Sequence, residues 1–178
     1  MKVIARRTKQ SDLENIYELH RKCFTQNDQW YKSAISNYLD NGILIEIVET
    51  KKIIGILLQG TIIPCNQQIL NADYEPDIFY PITETGKNMM NNNIHLSEVY
   101  GIVMICVDPN FRSKGIGKKL IQKHFQDNKN KKVYLNTRKS NVNAYFLYKS
   151  MGYEHIAYIK NKYFLPNEDA IFMIKYIN

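Results

Sequence analysis

A chain of 178 residues, 44 % hydrophobic and 23 % charged, has the size of one domain able to bury a full core. Its net charge of +7 at pH 7 suits an acidic partner, yet no apolar run reaches the roughly eighteen residues of a membrane span, and the absence of a recognition helix or paired-cysteine motif argues against a nucleic-acid module. The three cysteines, Cys23, Cys65 and Cys106, have neither CxxC nor metal-ligand spacing, so no metal is expected and a reducing compartment, cytoplasmic or nuclear, is the expectation.

In chain order, Val3 to Arg7 reads as a first strand, lacking the apolar stretch of a secretory signal. Ser11-Asp-Leu-Glu14 is a capping-box pattern opening a helix with Leu13, Ile16, Tyr17 and Leu19 among its apolar positions. A second helix is expected over Gln29 to Asp40, ended by Asn41-Gly42. Ile43 to Val48 and Ile53 to Leu58 are apolar strands joined by Glu49-Thr-Lys-Lys52, hence a hairpin. Pro64, Pro76, Pro81 and the polar run Asn88-Met-Met-Asn-Asn-Asn93 predict an irregular insertion at about 61–96, either a surface excursion or a lid. The buried strand Gly101 to Val107 is stopped by Asp108-Pro109, and Ile116, Leu120, Ile121 and Phe125 recur at helical spacing from about Gly115. Strand Lys132 to Asn136, helix Asn141 to Ser150, strand Tyr153 to Ile159, a turn-rich linker over Lys160 to Asp169 and a last strand Ala170 to Tyr176 complete the chain.

The most informative segment joins that buried strand to its helix: Val107-Asp-Pro-Asn-Phe-Arg-Ser-Lys-Gly-Ile-Gly-Lys-Lys-Leu120. A helix N-terminus leaves backbone donors unpaired and carries about half a positive charge, which suits an anion. Gly115 and Gly117 permit positive φ and close approach of the anion to the backbone. Arg112, Lys114, Lys118 and Lys119 add positive charge, so a diphosphate is the natural guest. A Walker loop would need Ser or Thr where Lys119 stands and a glycine where Arg112 stands; a dinucleotide fingerprint would need a glycine where Leu120 stands. Taken alone, the segment could also be an ordinary glycine-containing strand-to-helix turn.

The remaining pattern, Arg-x-x-Gly-x-Gly after a Val-Asp-Pro strand end, resembles the acetyl-CoA pyrophosphate loop of the GNAT N-acetyltransferases. A second segment, Asn141-Val-Asn-Ala-Tyr-Phe-Leu-Tyr148-Lys-Ser-Met-Gly-Tyr153, resembles that family's later signature and lies one strand after the loop's helix. The resemblance implies an α+β fold, the GNAT acyl-CoA N-acyltransferase fold. Its expected form is a mixed, mostly antiparallel seven-stranded sheet with about four helices, spanning 1–178 as a single domain apart from the insertion. Phe24 with Trp30-Tyr31, Tyr134-Leu-Asn136 leading into Ser140-Asn141, and Asn161-Lys-Tyr-Phe164 before Glu168-Asp-Ala170 look most like the N-terminal protein acetyltransferases, the ribosomal-protein alanine type among them.

By the same resemblance, Ile105, Cys106 and Val107 would offer backbone groups to the pantetheine arm of acetyl-CoA. Arg112, Ser113, Lys114, Gly115, Ile116, Gly117 and Lys118 would cradle its diphosphate. Asn141 would hydrogen-bond the cofactor, although a helix N-cap is an equal reading. Tyr148 matches the family tyrosine near the sulfur, serving as proton donor to the leaving thiolate, but it also lies on an apolar face with Ala144, Leu147 and Met151 and could be core. Related N-terminal acetyltransferases place a tyrosine and a histidine where this chain has Gly101 and Asn136, neither of which can act as a base. Glu98 and Tyr100 are the nearest substitutes; either could be a plain strand residue. Tyr163 and Phe164 match an aromatic pair that walls the entry of an N-terminal peptide, with Trp30 and Tyr31 contributing from the first helix-to-helix region.

The reaction implied is acetyl transfer from acetyl-CoA to an amine by direct attack, with a protein N-terminal α-amine as the leading acceptor. Two alternatives stay open: a small amine such as a polyamine, amino sugar or antibiotic, and a catalytically silent acyl-CoA-binding domain. An auxiliary subunit or a homodimer is likewise left open.

Overall fold

The structure, a computed structural model, describes residues 3–41, 43–49, 52–61, 78–91, 100–164 and 167–178. The chain divides into two units, residues 1–60 with 102–129 and residues 61–101 with 130–178.

In the first unit, β1 (Val3–Arg7), β2 (Ile43–Glu49), β3 (Lys52–Thr61) and β5 (Tyr100–Val107) follow one another in hydrogen-bonded order. The first two strands of the β2–β3 hairpin pair antiparallel, and β1 adds antiparallel to β2. β3 is buried from Ile53 to Gln59 without alternation, as a strand covered on both faces must be. The helices α1 (Leu13–Cys23) and α2 (Lys32–Asn41) place Ile16, Leu19 and Ile35 in one cluster with Ile53, Ile56, Leu58, Met104 and Cys106. The helix α4 (Ile116–Asp127) buries Ile116, Leu120 and Ile121. Gly55 is where it comes close: a Cβ there would meet Ile116 Cγ2 at 3.0 Å and Leu120 Cδ1 at 3.3 Å.

The first helical turn differs from the sequence reading. Ser11 and Glu14 do not form the capping box. A 3-10 turn over Gln10–Asp12 precedes α1, and the Asp12 carboxylate accepts the Lys9 N–H at 2.7 Å and the Arg6 guanidinium at 2.8 and 3.0 Å. Asp12, three residues after Lys9, thus takes the back-reaching part expected of Glu14, with Arg6 holding its carboxylate in place. α2 likewise begins at Lys32, three residues later than expected, after a second 3-10 turn over Gln26–Asp28.

In the second unit the hydrogen-bonded order is β6 (Lys132–Arg138), β8 (Asn167–Tyr176), β7 (Glu154–Phe164) and β4 (Ile78–Pro81). All three of these neighbouring pairs are antiparallel. The core is Tyr134, Ile156, Ala157, Ile159, Ala170, Phe172 and Ile174, with Tyr134 and Phe172 stacked at 5.7 Å between ring centroids. The helix α5 (Val142–Ser150) adds the buried Tyr148.

The mostly antiparallel α+β architecture is the one expected. Two stretches read as irregular are more ordered than the sequence suggested. Within 61–96, residues 78–81 form β4 and Glu84–Asn91 form α3, adding a strand and a helix. Pro81 is tolerated because β4 is an edge strand and the proline ends it; Thr83 Oγ1 then caps α3 by accepting the Gly86 N–H at 3.2 Å. Gly86 and Met89 are buried there. The supposed linker 160–169 is instead the end of a hairpin: Tyr163 pairs with Glu168 and Phe164 with Asn167.

No helix among the described residues is long and apolar enough to cross a membrane.

Candidate active site

The glycine-punctuated loop lies in the first unit, between β5 and α4. Asp108, only 2 % exposed, ends the strand by donating its own N–H to the Ile54 carbonyl at 2.9 Å and accepting the Asn110 N–H on Oδ1 at 3.0 Å. Pro109–Phe111 form one 3-10 turn. Ser113 and Gly115 then adopt left-handed φ of 62° and 78°, turning the backbone twice within three residues. Gly115 is the N-cap of α4, and no side chain caps that helix. The N–H groups of Ile116, Gly117 and Lys118 are therefore the unpaired donors of a first turn. A Cβ on Gly115 would meet nothing within 4 Å, so the space beside those donors is open.

The charge around this turn is held in place. Phe111 has Lys114 Nζ at 4.9 Å and Lys52 Nζ at 5.8 Å from its ring centroid, and Lys52 reaches Asp108 Oδ2 at 3.8 Å. Arg112 donates from Nε to the Val107 carbonyl at 3.1 Å, leaving the other guanidinium nitrogens outside that bond. Exposed cationic side chains, open helix donors and a glycine-lined approach suit a diphosphate. Asp108 was read from sequence only as the strand's stop, and Lys52 and Phe111 were given no role; the contact of Lys52 with a loop more than fifty residues later leaves no local signal.

Ile105 and Val107 are half-buried and Cys106 is buried. The Val107 carbonyl accepts from both Arg112 Nε and Cys23 Sγ, the latter at 3.3 Å. Both lone pairs of that carbonyl thus have a donor in the protein. Of the aromatics in this unit, Trp30 is packed into the core beside Tyr38 (5.4 Å) and His20 (6.3 Å), whereas Tyr31 is 83 % exposed.

The second unit holds the remaining candidates. Tyr148 is buried at 4 % exposure, edge-on to Tyr153 at 5.9 Å. Burial pushes its phenol well above the ordinary tyrosine range, so it stays a proton donor at neutral pH. Asn141 is the N-cap of α5: its Oδ1 accepts the Ala144 N–H at 3.2 Å, a bond that does not use its Nδ2 donor.

Asn136 on β6 accepts the Tyr163 hydroxyl on Oδ1 at 3.0 Å. The Arg138 guanidinium sits 4.2 Å from the Tyr163 ring centroid and 3.4 Å from Glu168 Oε2, and Glu168 also accepts the Ser140 hydroxyl at 3.0 Å and the Ser140 N–H. Asn136 and Arg138 of β6, the latter held by Glu168 of β8, thus fix the Tyr163 ring.

At Gly101 the backbone leaves no room for a side chain. A Cβ there would fall inside the Tyr134 carbonyl oxygen and 2.6 Å from that residue's amide nitrogen and carbonyl carbon. Tyr100 is half-buried with Lys131 Nζ 5.9 Å from its ring centroid. Glu98 and the Phe164 side chain lie outside the described residues. His155 is half-buried, edge-on to Tyr145 and Tyr158. Among the described residues no group of three or more His, Cys, Asp or Glu could hold a metal ion.

The model of the acetyltransferase (GNAT) family matches residues 13–153, and the chain belongs to that family. It is an acetyl-CoA-dependent N-acetyltransferase. Among solved structures it is similar to the ribosomal-protein-S18-alanine N-acetyltransferase of Escherichia coli, at 16 % identity and a TM-score of 0.70 over 99 % of this chain and 95 % of that one. It is similar to NAA60 of Arabidopsis thaliana in complex with acetyl-CoA, at 17 % identity and a TM-score of 0.70 over 99 % of each chain. It is also similar to smu.2055 of Streptococcus mutans UA159, at 20 % identity and a TM-score of 0.72 over 100 % of each. At these identities the likeness is one of fold. No curated protein matches the sequence.

Proposed function

We propose that the protein transfers the acetyl group of acetyl-CoA to the α-amine of a protein N-terminus by direct attack. The observation that carries the acceptor reading is the fixed Tyr163 ring: Asn136 and Arg138 hold it in the paired β7–β8 hairpin, where N-terminal acetyltransferases carry an aromatic wall. Similar folds have been solved with a Gag peptide and CoA in the NatC complex and with a bisubstrate analogue in NAA60, which supports the same class of acceptor.

Acetyl-CoA supplies an activated thioester; the chain supplies binding, orientation and proton handling. The N–H groups and cations of residues 112–118 hold the diphosphate, the backbone of Ile105 and Cys106 serves the pantetheine arm, and Asn141 donates from Nδ2. The Tyr148 hydroxyl, kept protonated by burial, donates a hydrogen bond to the departing sulfur. The attacking amine must lose a proton, and Glu98, acting through water, or Tyr100 takes that part. Tyr163 and Phe164 wall the acceptor's path.

Thiol release from acetyl-CoA, measured with a panel of N-terminal peptides beside polyamines, amino sugars and aminoglycosides, tests the reading. Turnover on peptides is the expected result. Turnover on small amines alone, or acetyl-CoA binding without turnover on any acceptor, would replace it with the corresponding alternative.

A further inference from the structure

Two free thiols of the first unit, Cys23 and Cys106, share one packing cluster, Cys106 within it and Cys23 against it, with Cys106 the side-chain hydrogen-bond neighbour of Cys23. Cys23 is the last residue of α1 and half-exposed; Cys106 is buried on β5 in the same apolar cluster. Cys23 Sγ donates to the Val107 carbonyl at 3.3 Å, and Arg112, bonded to that same carbonyl, brings its guanidinium next to the Cys23 sulfur.

The surroundings make the two thiols unlike. The Cys106 hydrogen bond and the Arg112 charge draw Cys23 below the ordinary thiol range, against the opposing effects of burial and of Asp108. Burial, together with Cys23, pushes Cys106 well up. A part-exposed sulfur whose ionised form is favoured by a neighbouring cation is the better nucleophile of the two, and a protonated sulfur beside it is placed to intercept whatever it forms.

We propose that Cys23 is a site of thiol–disulfide exchange with low-molecular-weight disulfides, with Cys106 as the resolving thiol. The Cys23 thiolate attacks one sulfur of RSSR; the S–S bond breaks, RS⁻ departs and Cys23 holds a mixed disulfide. Cys106 passes its proton to RS⁻ and attacks the Cys23 sulfur, expelling the second RS⁻, which takes up the proton Cys23 had released. The sum is one RSSR and two protein thiols giving one Cys23–Cys106 disulfide and two RSH: the small disulfide gains two electrons and the cysteine pair loses two. The crosslink removes the sulfhydryl donor from the Val107 carbonyl, to which Arg112 is also bonded, so oxidation is felt where the diphosphate loop begins.

The test is mass spectrometry of the full chain after exposure to glutathione disulfide under native conditions, with Cys65→Ser as background so that this third thiol cannot contribute. Expected are loss of two hydrogens with Cys23 and Cys106 peptides joined, a stalled glutathione adduct on Cys23 in Cys106→Ala, and loss of both products in Cys23→Ser. Circular dichroism of each variant before reaction establishes folding; should Cys106→Ala not fold, the crosslink map of the background protein decides alone. A folded protein that forms neither crosslink nor Cys23 adduct, or in which Cys106 reacts equally well in Cys23→Ser, overturns the proposal.

Discussion

The hydroxyl of Tyr163 donates to Oδ1 of Asn136 at 3.0 Å, tying the far end of β7 to the middle of β6. Asparagine at position 136 cannot accept a proton from an amine, but it can hold a phenol still. A phenolic oxygen positioned in this way is also an acceptor for an N–H group.

Tyr163→Phe keeps the ring under Arg138 and deletes only that hydroxyl. The expected outcome is a stability loss of about 1 kcal/mol and an acceptor KM raised roughly fivefold to tenfold, with kcat little changed. Steady-state thiol release on the best peptide, paired with urea unfolding, checks both halves; an unchanged KM would remove Tyr163 from the acceptor path.

Tyr148→Phe removes the proposed donor to sulfur without altering the buried volume much. kcat should fall about a hundredfold, while the affinity for acetyl-CoA stays within about twofold. If kcat holds, Tyr148 is core and nothing more.

Gly115→Ala places a methyl group in the open space beside the α4 donors at a φ of 78°. Backbone strain alone should cost about 1–2 kcal/mol of stability. Gly152→Ala is the control: its φ is 84° and the new Cβ would meet only the Lys175 ammonium end, at 2.8 Å. Calorimetry with acetyl-CoA should show roughly tenfold weaker binding for the Gly115 variant and near-native binding for the Gly152 variant. Equal affinities would place the diphosphate elsewhere.

Gly101→Ala drives a Cβ into the Tyr134 backbone, which no rotamer can relieve. Roughly 3 kcal/mol or more of destabilisation follows, read as a lowered urea midpoint. Restoring a tyrosine at this position would therefore unfold the protein before it could supply a catalytic group.

Acid should weaken the fold before the carboxylates titrate. His20 and His124 are buried and held at about 4, below the ordinary 6.5, chiefly by desolvation. Below pH 6.5 the unfolded chain takes up these protons and the native one does not until about pH 4, so stability falls across that window and is level above it. His155, shifted the same way by burial, adds to the fall. Asp12 acts lower: Arg6 holds its carboxyl below the ordinary 3.8, and its contribution disappears as pH drops through that range. Neither ring nitrogen of His20 has a hydrogen-bond partner among the described residues, and its ring lies 4.7 Å from that of Phe24. His20→Phe should accordingly gain more over the wild type near about pH 5 than near about pH 8, as urea midpoints at the two values will show. A gain independent of pH would mean that His20 does not titrate in this range.

Much of the architecture was legible because its signals are local. The apolar runs of β2, β3 and β5, the Asp108-Pro109 stop and the Gly115 turn each announce themselves within a few residues. What escaped depends on pairings distant in sequence. Residues 78–91 carry proline and asparagine, yet an edge position excuses Pro81 and only Gly86 and Met89 are buried in α3, too few apolar points to make a periodic pattern. Glu168 looked like part of a turn-rich linker, but its partners are Arg138 and Ser140 on the far side of α5. The loop's glycine turn was readable, whereas Lys52 beside Phe111 and Cys23 beside Val107 were not, since helix α1 and strand β3 reach the loop only in three dimensions.

β4 also works as a guard rail. It occupies the outer flank of β7, with the Ile82 N–H answering the Ile156 carbonyl at 2.9 Å just beyond the last paired residue. Anyone trimming residues 78–91 as dispensable surface would strip that flank and leave a row of unanswered main-chain groups on an eleven-residue strand, the kind of raw margin along which polypeptides stack into aggregates.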